Sequence, residues 1–181
     1  ITAVDEWYGD RMARPTRERA RVIAQARLST EGSHKPLLSM LQQDKTPSFW
    51  KAVSARLLDT WWFERDVIPA MVHASTSTNA LLRSQVVMAL GPAVQAGNAD
   101  AAQALVDRLE DPVRSVRVNA AWSLRSHLDP ASVTAQELQH FLKLHLDQPS
   151  GQMQKGAWHL AQQDIPSALK HYRKAVEWDP N

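Results

Sequence analysis

The sequence predicts an all-α fold, a right-handed helical-repeat solenoid built from pairs of helices. A segment with an apolar residue at every fourth position spans residues 111–124, and it recurs at 82–90 and 50–58 after shifts of 34 and 32 residues. A period of this length is typical of arrays of helix pairs. No stretch alternates apolar and polar residues with β-branched enrichment, and no Asn-Gly or Asp-Gly turn occurs. The chain is therefore expected to contain helices and no strands.

Residues 1–32 are predicted to form the N-terminal helices. A short helix over residues 1–8 is closed by Gly9, and Pro15 begins a second helix that runs to about Leu28. Proline suits the first helical turn because its missing N–H would have no partner there.

Three helix pairs are predicted over residues 33–131. Their bounds are 33–43 with 48–63, 64–74 with 79–90, and 100–110 with 112–128. Pro69 falls inside a helix and is expected to kink or shorten it, because proline removes a backbone donor. Gly91-Pro92 and Gly97-Asn98 make the stretch before the third pair a connection rich in helix breakers.

Two further helix starts are indicated by their side chains. Asp111 is expected to accept hydrogen bonds from the first N–H groups of its helix, with Pro112 in the first helical position. Thr134 and Glu137 form a capping box that opens a linking helix within residues 132–148. Residues 149–181 complete the chain as a final helix pair.

Composition excludes several classes of site. The chain has 181 residues and no cysteine, so it holds no disulfide, thiolate metal site or cysteine nucleophile. No apolar run approaches the ~18 residues that a membrane span needs. The net charge of +2 does not imply strong non-specific binding of nucleic acid. Because the sequence starts at Ile1 and stops directly after a helical pattern, we expect a piece of a longer protein.

The repeated segment resembles the second helix of a HEAT repeat. The resemblance is carried by Asp111-Pro112, Val116-Arg117, Ala120-Ala121 and Leu124, and it covers roughly residues 33–128. It implies that acidic and basic side chains form a polar ladder between repeats. The ladder residues would be Asp111, Arg117, Arg83 and Lys51.

The last helix pair resembles a tetratricopeptide repeat. The spacing of its small and aromatic positions carries the resemblance, at Gly156, Ala168, Tyr172, Ala175 and Pro180. Small residues at this spacing let two antiparallel helices approach closely. Three polar residues depart from the family pattern, namely Gln152, Lys155 and His159. One such pair cannot bury its own face, so a further repeat is expected to follow in the parent protein.

The order of these parts also resembles the C-terminal region of certain bacterial multihaem c-type cytochromes. Trp7-Tyr8-Gly9, followed by basic residues and the two repeat types, carries this resemblance. It implies a non-haem accessory domain of an exported electron-transfer protein, with haem held N-terminal to this piece. The compartment would then be the periplasm, and otherwise the cytoplasm. No cofactor is predicted within this chain.

No catalytic, cofactor-binding or metal site is predicted, and we expect that the protein is not an enzyme. The seven histidines include no pair at i and i+4, the spacing that suits metal ligands on a helix. Gly-x-Ser-x-Gly is absent, and six scattered glycines provide no phosphate-binding loop. One basic concentration could contact nucleic acid, although a solvated helix face is the favoured interpretation; it comprises Arg11, Arg14, Arg17, Arg19, Arg21 and Arg27.

A candidate partner-binding row lies off the apolar stripe of the second helices. The repeat register places Trp122 nearly opposite that stripe. The row and its neighbours are Arg56, Met88, Trp122, Val53, Gln85 and Asn119. Aromatic residues and methionine are enriched in interfaces, which suggests a binding patch. The alternative is that Trp122 packs on the helix that follows Thr134.

The sequence therefore predicts a non-catalytic scaffold that binds a protein partner or another domain of its parent chain. Two alternatives remain, an accessory domain of a multihaem cytochrome and a nucleic-acid-binding array. Binding to nucleic acid is the least favoured of the three.

Overall fold

A computed structural model describes residues 15–179, and within them the chain is α-helical with no β-strand. The predicted all-α fold class is confirmed, while the hand of the solenoid stays a prediction. The short helix predicted over residues 1–8, together with Arg11, Arg14 and Pro180, lies outside the described residues. None of the described helices is both long and apolar enough to cross a membrane. The chain divides into two compact units, residues 1–89 and 90–181.

The first unit holds α1 and two helix pairs. The helices are α1 (Pro15–Arg27), α2 (His34–Gln42), α3 (Ser48–Leu57), α4 (Val67–Ala74) and α5 (Ala80–Ala89). Helix α1 packs against both α2 and α3, and α3 packs against α5. The core is formed by aliphatic side chains with almost no exposed surface, including Leu37, Leu58, Val67, Met71, Val86 and Val87.

Two helix bounds in this unit differ from the prediction. The helix predicted over 48–63 ends as an α-helix at Leu57 and continues as a 3-10 turn over Leu58–Trp61. The helix predicted over 64–74 begins at Val67, so Pro69 lies in its first turn. A proline in that turn interrupts no intrahelical hydrogen bond, which explains why it shortens the helix without kinking it.

The second unit holds six helices between Leu90 and Asp179. They are α6 (Gly91–Gln95), α7 (Ala99–Val106), α8 (Arg114–Ser123), α9 (Val133–Lys143), α10 (Pro149–Ala161) and α11 (Ile165–Trp178). Helix α6 replaces part of the predicted irregular connection. It is accommodated because Gly91 packs against α8, where a Cβ would lie 3.3 Å from Oγ of Ser123.

Both side-chain predictions for helix starts in this unit were wrong in detail. Helix α8 begins at Arg114, and Pro112 precedes it; the Asp111 carboxylate accepts from the N–H of Val113 at 2.9 Å. Helix α9 is capped by Ser132, whose hydroxyl accepts from the N–H of Ala135. Glu137 makes no capping box because its carboxylate binds Arg117 instead.

The last two helices, α10 and α11, pack closely along their length. A Cβ at Gly156 would lie 2.5 Å from Cε1 of Tyr172, so the Tyr172 ring occupies the space that any larger residue would need. Ala168 and Ala175 are both buried on the facing helix. The small residues thus allow the close approach that their spacing predicted.

Candidate interaction surface

Arg83 and Arg117, which the repeat register places in equivalent positions, make equivalent contacts. Nη1 of Arg83 donates to the carbonyl oxygen of Ser77 at 2.8 Å, and Nη1 of Arg117 donates to that of Asp111 at 2.8 Å. Each bond reaches back six residues into the turn before its own helix. Both guanidinium groups therefore hold the turn that joins the two helices of a repeat.

The same turn uses Asp111 in one repeat and Ser77 in the other. Oγ of Ser77 accepts from the N–H of Asn79 at 3.2 Å, which matches the bond from Val113 to Asp111. Serine and aspartate both form this local turn, so the two repeats share its geometry although the residue type differs. Lys51 is half-buried at the corresponding position of the first repeat. The ladder between repeats stays a prediction.

Arg117 also joins α8 to α9 through a two-point contact with Glu137. Nε and Nη2 of Arg117 donate to the two carboxylate oxygens at 2.9 and 2.7 Å, and Arg114 lies 3.4 Å from the same group. This fork geometry is the strongest form of a side-chain ion pair. The hydrogen bond from Arg117 lowers the pKa of Glu137 and correspondingly raises the pKa of Arg117.

Four members of the candidate row lie in the first unit, on α3 and α5. Val53, Gln85 and Met88 are half-buried, and Arg56 is exposed and paired with Asp59. Because α3 and α5 pack side by side, their side chains border a common groove of about 340 Å³. Its lining is Arg27, Phe49, Ala52, Val53, Arg56, Leu57, Leu81 and Gln85. The structure thus brings Val53, Arg56 and Gln85 together on this groove.

The groove includes two apolar residues outside the predicted row. Phe49 is 56% exposed and Leu81 is 46% exposed, although both are large and apolar. Each lies four residues before a predicted row member, Val53 or Gln85. Extending the row by one helical turn would have found them, since positions i and i+4 share a helix face.

The two row members in the second unit, Trp122 and Asn119, are half-buried. Trp122 packs against a cluster of buried side chains from α8, α9 and α10, namely Val118, Ala121, Ala135, Leu138, Leu142 and Trp158. The guanidinium carbon of Arg125 lies 4.6 Å from the centre of its ring. Trp122 therefore contributes to this core, as the alternative interpretation expected, and a binding role for it stays a prediction.

Several polar side chains make contacts between α10 and α11. Oε1 of the buried Gln152 lies 2.7 Å from Nδ1 of His171, and His171 stacks on His159 with 5.3 Å between ring centres. Nδ1 of His159 lies 3.1 Å from the Asp164 carboxylate. Over residues 15–179 no three potential metal ligands converge. These groups therefore act as a polar seam between two helices.

Comparison with known proteins gives one match. The HEAT-repeat family matches residues 34–125, just over half of the 181 residues. That range begins with α2 and extends just past the end of α8, and so contains both turn-binding arginines and every groove residue except Arg27. Searches of curated proteins and of solved structures found no match.

Proposed function

Because the chain belongs to the HEAT-repeat family, we propose that it is a non-catalytic scaffold whose second helices bind a protein partner or another domain of its parent chain. HEAT repeats generally serve as protein-interaction scaffolds, and the family is typically non-enzymatic. In this mode of action a preformed surface recognises its partner by shape and side-chain complementarity, with no covalent step.

One observation carries the proposal, namely the exposure of large apolar side chains beside the candidate row. Folding leaves more than two fifths of Phe49 and Leu81 in contact with solvent, one on each of two neighbouring second helices. Scattered exposed apolar residues are ordinary in monomeric proteins. Phe49 and Leu81 border one groove with Val53 and Leu57, so a single partner can cover both.

Site-specific photocrosslinking in cells of the source organism tests the proposal. A benzophenone side chain is placed at Gln85 in the groove. In a control variant it is placed at Gln42, an exposed position on α2, which is the first helix of the first pair. We expect a discrete crosslinked protein from position 85 that excess unlabelled chain abolishes, and no such species from position 42. The same products from both positions, or none from position 85, would contradict the proposal.

A further inference from the structure

The groove between α3 and α5 has an apolar floor and apolar sides. Ala52 is 2% exposed, and the half-buried Val53 and Leu57 lie beside it. Phe49 from α3 and Leu81 from α5 remain exposed at its edge. The volume of about 340 Å³ lies at the low end of small-molecule sites, so the groove admits a few side chains rather than a folded domain.

The charge of the groove has one sign. Of its eight lining residues, Arg27 and Arg56 are basic and none is acidic. Arg56 is compensated by its ion pair with Asp59. Within residues 15–179, Arg27 has no such pair. An uncompensated guanidinium beside an apolar surface favours a carboxylate in whatever occupies the groove.

The spacing of the lining residues fits a helix. Phe49, Val53 and Leu57 follow one another at intervals of four on α3, and Leu81 and Gln85 do so on α5. Two such ridges form a channel into which the side chains of a third helix can interdigitate. Residues 15–179 contain no sheet edge that could bind an extended strand. Helix-in-groove recognition is thus the mode that this surface supports.

We propose that the groove binds an amphipathic helix of a protein partner, one that places an aspartate or glutamate beside an apolar face. The inference rests on the proposed scaffold function and specifies the chemistry of the partner. The apolar face would cover Phe49 and Leu81, and the carboxylate would bind Arg27.

A library of random 16-residue peptides displayed on phage tests the proposal against the whole chain. We expect the enriched peptides to combine leucine or phenylalanine at helical spacing with a net negative charge. A labelled synthetic copy of the most enriched peptide is then titrated by fluorescence anisotropy. Leu81→Ser and Arg27→Glu should each weaken its binding at least fivefold, and Arg27→Lys should weaken it less.

Matched controls separate the groove from the rest of the first unit. Leu28→Ser removes an apolar side chain that is 80% exposed but does not line the groove, and Arg65→Glu makes the same charge change elsewhere. Both should leave binding unchanged. A peptide with lysine in place of its acidic residues should bind the wild type weakly and Arg27→Glu more tightly.

The inference would be overturned by enriched peptides without acidic residues, by equal binding to all variants, or by no enrichment. If position 85 still crosslinks to a discrete protein in any of these cases, the scaffold function stands and the helical acidic partner does not. If peptide binding behaves as expected but no cellular protein is crosslinked, the groove has the inferred chemistry and the proposed scaffold function fails.

Discussion

At the scale of single residues, the last helix pair replaces apolar contacts by polar ones. Gln152 is 2% exposed, and its amide nitrogen donates to the carbonyl oxygen of Leu146 at 2.6 Å, while its oxygen faces Nδ1 of His171. A buried amide is tolerated only when its hydrogen bonds are made. Two of the residues that depart from the tetratricopeptide pattern, Gln152 and His159, therefore both contact His171. The titratable His171 ring makes this seam sensitive to pH.

We expect stability to fall as the pH decreases through the range in which His171 titrates. Burial lowers the pKa of His171, and the charges of His159, Lys155, Lys170 and Lys174 lower it further. The unfolded chain therefore binds this proton more readily than the folded chain. The contribution is fully present above the ordinary value of 6.5 and is lost as the pH falls from there towards the lowered value.

Melting curves followed by circular dichroism at pH 7.5 and pH 5.5 check this expectation. His171→Asn keeps a donor close to the position of Nδ1 but cannot titrate. Its loss of Tm between the two pH values should therefore be smaller than that of the wild type. His140→Asn on the exposed surface of α9 is the control and should behave like the wild type. An equal pH dependence in wild type and His171→Asn would contradict the argument.

At the scale of helices, Gly156 shows how a tertiary contact reverses a local preference. Glycine to alanine inside a helix normally stabilises it by about 1 kcal/mol. Here the new methyl group would lie 2.5 and 2.7 Å from two carbon atoms of the Tyr172 ring. We expect Gly156→Ala to destabilise the chain by about 1–3 kcal/mol, the range for overpacked sites.

Repeating Gly156→Ala in a protein that lacks the Tyr172 ring isolates the contribution of this contact. In a Tyr172→Ala background, Gly156→Ala should become neutral or stabilising, since only the helical preference remains. Urea denaturation of the four proteins at one pH measures the coupling. An equal loss in both backgrounds would show that the Tyr172 ring is not the cause.

Helix packing also explains why the helices themselves could be predicted from the sequence and some of their ends could not. Periodic apolar residues indicate burial on one face of a helix, so the helix pairs and their register, with shifts of 34 and 32 residues, follow from the sequence. Helix ends depend on which partner a side chain finds. Glu137 could cap its own helix or bind Arg117, and only the packing of α8 against α9 decides between them. The groove was predicted in part: Val53, Arg56 and Gln85 belong to the predicted row, and Phe49 and Leu81 do not. An apolar residue on a helix gives no local signal of whether folding leaves it exposed.

At the scale of the whole molecule, helices pack on near neighbours along the chain. Within each unit, the helices that pack most extensively are consecutive or one element apart in the chain. Examples are α9 with α10 and α3 with α5. In such an architecture stability is approximately a sum of local terms. A substitution should therefore loosen the helices around it and leave helices remote in sequence unchanged.

Glu137→Gln provides the test, because it breaks the two-point contact between α8 and α9 without removing buried apolar surface. We expect amide hydrogen exchange, followed by mass spectrometry, to quicken several-fold in α8 and α9 and to stay unchanged in α2. Glu110→Gln, an exposed position outside every described ion pair, should alter neither region. The pKa of Glu137 is lowered, so its carboxyl stays charged to a pH below its ordinary value. The effect of the substitution should therefore vanish only at more strongly acidic pH, where the carboxyl is protonated in the wild type as well. A uniform rise in exchange across all helices would instead mean that the chain unfolds as one cooperative unit.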